Sequence, residues 1–275
     1  MKKLLLLCAM ATFGLSQASA QLDDEDYGFF NHVSAGVSVG TDGIGFQVAA
    51  PMTYHFAVRA GFSFMPGFKY TTSLNLGHDD IGAFKTDKVE LEGKLKMSNF
   101  SLLFDYYPFT GSSFRVTAGA YICNGEPVSV TNTNDFINPA YAGKAGINLS
   151  RSGSTMQEKY VLITDASGNV KADLKVNSFR PYLGIGFGRA VPRKRIGCQF
   201  DLGVQFWGKP EVHTNVMYYD QAAGDFVTRY EKVDKGRITR SHEDGDYKDL
   251  RDAIKTIEAI GVYPVLTFRL NGRIF

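Results

Sequence analysis

The sequence predicts an all-β protein, an eight-stranded antiparallel transmembrane β-barrel with long extracellular loops and one short amphipathic helix before the last strand. Three observations point there. Apolar residues recur at every second position in eight separate segments, the period of a strand with two unlike faces. The second face of those segments mixes Gly, Ser and Gln with a few charges, where a solvated sheet would carry many Lys and Glu, so it suits a crowded lumen. The even-numbered connections are all short, and the three longest are all odd-numbered, a sorting that a soluble barrel does not need.

The chain opens on MKKLLLLCAMATFGLSQASAQ, with Lys2 and Lys3, an apolar run from Leu4 to Leu15, then Ala18-Ser19-Ala20. This is the grammar of a secretory signal peptide, residues 1–20, with Ala18 and Ala20 as the small residues before the cut. The apolar run is too short for a spanning helix, and no second stretch of that length follows. Residues 21–30 then read as a periplasmic N-terminal segment and residues 31–275 as the barrel. Loss of Lys2 and Lys3 takes the formal net charge from +2 to about zero, and no basic block points to nucleic acid. Cys123 and Cys198 are too few and too far apart for a disulfide framework or a zinc site. With 29 Gly, 21 Phe and 14 Tyr against 9 Pro, the composition suits a wall wet on one side and greasy on the other.

The first strand spans 31–40, with Val33, Ala35, Val37 and Val39 on one face, and Thr41-Asp42-Gly43 turns the chain. The second spans 44–52 and shows Ile44, Phe46, Val48 and Ala50; the third, 55–66, shows Phe56, Val58, Ala60, Phe62 and Phe64. The fourth is long, 89–108. Phe100, Leu102, Phe104 and Tyr106 share a face, but 91–97 has the opposite parity, which predicts a bulge near Ser98-Asn99. The fifth spans 114–123. The sixth contains SFRPYLGIGFG, with Leu183, Ile185 and Phe187 opposite Tyr182, Gly184 and Gly186. The seventh sets Ile196, Cys198, Phe200, Leu202, Val204 and Phe206 against Gly197, Gln199, Asp201, Gly203 and Gln205. The eighth runs from Val262 to the end.

Connections two, four and six are PMTY, FTGSS and RAVPRK; the long ones cover 67–88, 124–171 and 208–261. Tyr54, Phe56, Tyr106, Tyr107, Phe109, Phe114 and Phe187 bracket the apolar band at one end, and Phe64, Phe68, Tyr121, Phe179, Trp207 and Tyr263 at the other, like two aromatic girdles. Inside the long connections, KYVLITDASGNVKADLKV predicts a hairpin about Asp165-Ala166-Ser167-Gly168, and HTNVMYYDQAAGDFVTRYEKV predicts another. DYKDLRDAIKTIEAIG predicts the helix, with Leu250, Ala253, Ile254 and Ile257 on one stripe.

The signal peptide, the eight alternating strands, FRPYLGIGFG in the sixth and the terminal Phe275 resemble the porin-like outer-membrane β-barrel proteins of Gram-negative, Bacteroides-type bacteria. The resemblance covers nearly the whole mature chain and concerns architecture more than activity. It implies a place in the cell outer membrane, outer-membrane lipid as surroundings, and the barrel-assembly machinery as a partner that reads Phe275. The family's signal wants apolar residues at every second position back from the end; here those are Arg273, Asn271 and Arg269. A bulge at Asn271-Gly272-Arg273 would reset the phase, and Gly272 would tolerate the angles.

The inward face gathers Arg59, Asp105, Arg115, Arg180, Asp201 and Arg269 into one lumen. Buried charges persist when paired, so these predict an Arg–Asp network that plugs a barrel just wide enough for side chains. Phe56, Val58, Phe62, Leu102, Phe104, Leu183, Ile185, Phe200, Leu202 and Val204 are expected to face lipid. Gly184, Gly186 and Gly188 lie within a strand and lack a nucleotide loop's spacing, so they read as small lumen residues. SHED at 241–244 names triad-type residues, but neighbours in sequence cannot converge as a triad does. His242, Glu243, Asp244 and Asp246 are the right types for a metal site, yet a charge run in a loop is more often simply solvated. No catalytic role, metal or cofactor is therefore expected. The expected role is structural or surface-binding, adhesin- or receptor-like, carried by the extracellular loops. The alternatives are a narrow porin-like channel for small solutes and a lipid-modifying enzyme.

Overall fold

The structure is a computed structural model and describes residues 27–75, 83–86, 88–109, 111–144, 146–150, 154–238, 252 and 254–274. Both cleavage residues Ala18 and Ala20, the loop residues His242, Glu243, Asp244 and Asp246, and Phe275 lie outside them. Sixteen strands run through the described residues. In chain order they are β1 (Ser34–Gly40), β2 (Gly43–Pro51), β3 (Phe56–Phe64), β4 (Phe68–Asn75), β5 (Lys88–Leu95), β6 (Ser98–Tyr106), β7 (Phe114–Cys123) and β8 (Val128–Asn132). Then come β9 (Gly146–Asn148), β10 (Tyr160–Ile163), β11 (Lys171–Lys175), β12 (Phe179–Phe187), β13 (Ile196–Phe206), β14 (Glu211–Asp220), β15 (Asp225–Lys232) and β16 (Val262–Arg273).

Eight of them close an antiparallel barrel in the order β1-β16-β13-β12-β7-β6-β3-β2. β16 closes it by pairing with β1 on one side and β13 on the other. Closure leaves no free edge, so every ladder group finds a partner inside the sheet. The alternation now has a direction. Arg59, Asp105, Arg115, Gln199, Asp201 and Arg269 point inward and are buried, while Phe56, Phe62, Leu102, Phe104, Leu183, Ile185, Phe200 and Leu202 are exposed on the outside. Val58 and Val204 share that outer face and are half-exposed. No outward position on the eight barrel strands carries a charged side chain.

The described parts of the long connections carry strands of their own. They fold into a second sheet, β4-β5-β8-β11-β14-β10-β9, with β15 along the other edge of β14. β14–β15 is the predicted hairpin, joined through Asp220↔Asp225. The other predicted hairpin does not form. β10 and β11 flank the Asp165 turn but do not pair with each other; they lie end to end along one edge of β14, at Tyr160↔Tyr218 and Asp173↔His213. Sequence proximity suggested the pair, but a longer strand supplied by a different connection pairs with each of them instead.

The parity change near Ser98-Asn99 is not a bulge either. β5 belongs to the second sheet and β6 to the barrel, and the chain crosses between them at Lys96 and Met97. Met97 is fully buried there, clustered with Met65, Val176 and Trp207 under Leu95, Leu174 and Tyr263. The apolar face of the second sheet thus caps the upper mouth, the end that bears β4, β5, β8 and β14. Residues 252 and 254–259 are helical, and Ile254 packs with Leu149, Tyr160, Val216, Val233 and Ile238. Ile257 stays partly exposed, while Leu250 and Ala253 lie outside the described residues.

At the other end of β16 the ladder is regular: Asn271, Gly272 and Arg273 pair in turn with Gly36, Ala35 and Ser34. The predicted bulge is absent, and Ile274 continues the alternation at 63% exposed. The girdles need a similar correction. Phe56 with Tyr106, and Phe109 with Phe114 and Phe187, do form exposed aromatic contacts at the lower end. Tyr107, Tyr121 and Trp207, however, are buried and fill the lumen. Their parity already placed them inward; nearness to a strand end alone does not make a girdle.

Interior glycines make room for interior rings. A Cβ on Gly203 would lie 2.5 Å from Tyr182 Oη and 2.6 Å from the Leu183 carbonyl oxygen. Gly203→Val should therefore destabilise the barrel by about 1–3 kcal/mol through overpacking. Denaturant unfolding in detergent micelles would measure this, and Tyr182→Ala added to it should recover part of the loss.

Candidate functional site

The lumen is filled at three levels. The middle level is ionic and draws on five strands. Arg59 of β3 places Nε 2.8 Å from Asp105 Oδ2 on β6 and donates from Nη1 to Asp201 Oδ2 on β13 at 3.1 Å. Arg115 of β7 donates to Asp201 Oδ1 at 2.6 Å and also to the Gly188 carbonyl. Arg269 of β16 donates to Asp201 Oδ2 at 2.9 Å and to Gln199 Oε1 at 2.7 Å. Thr117 donates its hydroxyl to Asp105 Oδ1 at 2.7 Å. Gly186 faces this cluster, where a Cβ would lie 2.9 Å from Asp201 Oδ1 and 3.0 Å from Arg115 Cζ. The sequence placed the glycine in the lumen; only the packing shows that the ion cluster occupies its missing side chain.

Arg180 does not join this network. It sits six residues before Gly186 on β12, about 20 Å of strand higher, in the upper mouth. There its guanidinium stacks on Trp207 with Cζ 4.7 Å from the ring, and donates to the Asn177 carbonyl at 2.9 Å and the Asn124 carbonyl at 3.1 Å. Common parity put Arg180 in the same lumen as the other charges, but height along the barrel keeps it apart. Trp207 in turn stacks on Tyr263 at 4.7 Å between centroids.

The lower level was not read from the sequence. The β12–β13 connection, predicted only as a short turn, folds into the barrel. Ala190 N–H donates to Tyr107 Oη at 2.8 Å, and the Ala190 carbonyl accepts from Ser34 Oγ and Asn271 Nδ2, both at 2.7 Å. Gln199 Nε2 donates to the Arg189 carbonyl at 2.7 Å. The Arg189 side chain is 7% exposed and lies against three rings, with Cζ 4.2 Å from the Tyr54 centroid, 4.8 Å from Tyr27 and 4.9 Å from Tyr107. Such packing stabilises a buried cation. Ala190 and Val191 are the only sequence signal, an apolar pair in an otherwise basic turn.

Of the remaining histidines, His32 and His55 lie at the lower end, and His55 Nδ1 is 2.7 Å from the Tyr107 carbonyl. His213 is on β14 of the second sheet, 3.3 Å from Glu211 Oε2. His78 and His242 fall outside the described residues. On the outer face of the second sheet, Asp173 accepts from Tyr230 Oη, with Lys171 and Lys175 over the Tyr230 ring at 5.2 and 5.6 Å. Burial pushes the Asp173 carboxyl up, but hydrogen bonds from Ser129 and Tyr230 and the Lys171 charge outweigh it and hold the group below its usual range.

No family model matches the chain, and no curated protein does. The solved structures to which the chain is similar include two from Acinetobacter baumannii. Acinetobacter baumannii CarO2 has a TM-score of 0.44 at 18% identity over 88% of this chain and 98% of its own. Acinetobacter baumannii CarO has a TM-score of 0.46 at 18% identity over 89% and 99%. By its own topology the chain is a closed eight-stranded antiparallel β-barrel carrying a second sheet on one mouth.

Two outcomes test the site. Asp201→Asn leaves Arg59, Arg115 and Arg269 facing a neutral amide and should cost about 3–5 kcal/mol, as removal of one partner from a buried ion pair does; adding Arg59→Gln should recover part of it, read by denaturant midpoint. Asp173 contributes stability to the second sheet above its unfolded pKa, because its folded pKa is depressed. That contribution is lost as pH falls through the folded value, so protease resistance of 160–232 should drop in acid for the parent chain and change less for Asp173→Asn.

Proposed function

We propose that the chain is an outer-membrane β-barrel protein whose barrel is a sealed anchor and whose second sheet, held outside the cell, has a structural or surface-binding role. The observation that carries the membrane reading is the outer wall, which presents Val, Leu, Ile, Phe and Ala all round with no charged side chain on any of eight strands. In water such a surface would aggregate; in a bilayer it is the favourable solvent boundary. Most of the barrel strands run 9 to 12 residues, which suits tilted passage through the hydrocarbon core. The exposed Phe56–Tyr106 and Phe109–Phe114–Phe187 contacts suit a lower interface, and Phe64 and Phe179 an upper one.

The sealed-anchor reading is supported by the three filled levels. A solute would have to displace Trp207 and Arg180, then the Asp201 cluster, then the inserted turn at Ala190. The narrow-channel reading needs all three to move together. Binding then falls to the second sheet, whose outer face offers Lys171, Lys175, His213, Tyr230 and Lys232 to solvent or a partner.

Planar-bilayer recordings of the purified protein should show no large, stable conductance; steady open-channel currents would overturn the sealed reading. Leu202→Arg should cost about 2–4 kcal/mol if that position meets the bilayer midplane, while Gln199→Arg, which faces the lumen, should respond to the Asp201 cluster instead. Equal effects would count against the inside-out assignment. Unboiled protein should run anomalously on a denaturing gel and fractionate with the outer membrane.

A further inference from the structure

Above β6 the wall continues with its faces exchanged. On β6 the even positions point outward and include the exposed Phe100 and Leu102, while Asn99 and Ser101 are buried inside. Followed back into β5, the even positions still point outward, but they are now Glu92, Lys94 and Lys96. The odd ones, Leu95 and Met97, pack beneath the second sheet. The apolar side thus passes from outside to inside between Phe100 and Lys96. In a bilayer this exchange marks the level at which the wall leaves hydrocarbon, because each face matches the medium it meets.

Neighbouring strands share that level. Phe62, Phe100, Ile122 and Phe179 pair in one row across β3, β6, β7 and β12, and all four are exposed. One step higher, Ser98 pairs with the exposed Phe64, which ends β3. Lys96 stands two residues past Ser98, about 7 Å of strand. Barrel tilt reduces the rise to about 5 Å. The headgroup layer on each side of a bilayer is about 5–8 Å thick, so Lys96 and then Lys94 leave the wall at headgroup height.

These two cations differ from the other lysines of the same face. Lys69, Lys171, Lys175 and Lys232 each lie near a carboxylate, at 2.9 Å from Glu92, 3.4 Å from Asp173, 3.4 Å from Glu126 and 2.8 Å from Glu211. Lys94 and Lys96 are exposed and make no ion pair among the described residues. Lys94 also stands directly opposite Lys69 on β4. Like charges at opposed positions destabilise a sheet, so an anion placed there would offset a standing cost.

We propose that Lys94 and Lys96, with Lys69 beside them, hold phosphate groups of the lipids that surround the upper end of the barrel, a site that stands on the membrane reading above. The Phe and Ile row meets the acyl chains, and the lysines meet the phosphates that such lipids carry just above them. The attraction is electrostatic and exposed, so salt weakens it.

The test is acetylation of lysines by a water-soluble active ester, followed residue by residue by mass spectrometry, on the full folded protein in bilayer discs. One set of discs is phosphatidylcholine alone; the other mixes it equally with phosphatidylglycerol. Lys69, Lys94 and Lys96 should react several-fold more slowly in the phosphatidylglycerol discs. About 1 M salt, where the screening length falls to about 3 Å, should remove most of the difference. Lys88, exposed on the same face of β5 but eight residues farther from the wall than Lys96, should react alike in both. In the double variant Lys94→Glu/Lys96→Glu, Lys69 should lose its protection, and unboiled gel mobility checks that this variant keeps its barrel. Equal rates at Lys94 and Lys96 in both discs would overturn the site. So would protection of Lys69 that survives the double variant, since that is the general effect of a charged surface. Glycerol phosphate added to phosphatidylcholine discs should leave the rates unchanged; protection by it would mean a site for free phosphate and not for lipid. A chain that enters neither disc would sink the membrane reading itself, whereas one that enters and reacts equally sinks only the lipid site.

Discussion

Asp201 accepts from Arg59, Arg115 and Arg269, which stand on three different strands and come from far-separated parts of the chain. Everything else in the lumen is arranged around that convergence. A carboxylate taken out of water is costly unless its lone pairs are met, and a guanidinium likewise. Here each carboxylate meets at least two guanidinium groups, and Thr117 and Gln199 take up further hydrogen bonds. The geometry works only if the strands hold their register to within one residue, since a slip would turn each charge out to the apolar wall.

The cluster also sets what the neighbouring positions must be. Gly186 has no side chain because Arg115 and Asp201 fill its place, and Gly203 has none because Tyr182 leans over it. Above and below, two buried arginines that meet no carboxylate among the described residues use aromatic faces instead: Arg180 on Trp207 and Arg189 among three tyrosines. The interior therefore reads as a stack, with an ionic centre and a cation–aromatic closure at each mouth. That stack leaves the outer wall free to be wholly uncharged.

Much of this was legible in alternation. All eight barrel strands, their facing and the inward set Arg59, Asp105, Arg115, Asp201 and Arg269 follow from period two, because in a strand parity is side. What parity cannot carry is height and partner. Arg180 shares the parity of the others but sits too far up to reach them. Lys96 and Met97 look like the middle of one strand but are the hand-over between two sheets. β10 and β11 look like a hairpin but are both claimed by β14. The inserted turn at Ala190 has no period at all.

The sequence by itself determined a barrel with an apolar outside and a charged inside, since those depend on the local choice of residue at successive positions. It also determined which end carries the large connections, because length is read directly. Only the tertiary structure decided that those connections form one sheet over the upper mouth, that three arginines share one aspartate, and that a six-residue turn with Tyr27 closes the lower mouth. These depend on which strands become neighbours when the barrel closes. Closure is a property of the whole ring, and no window of sequence contains it.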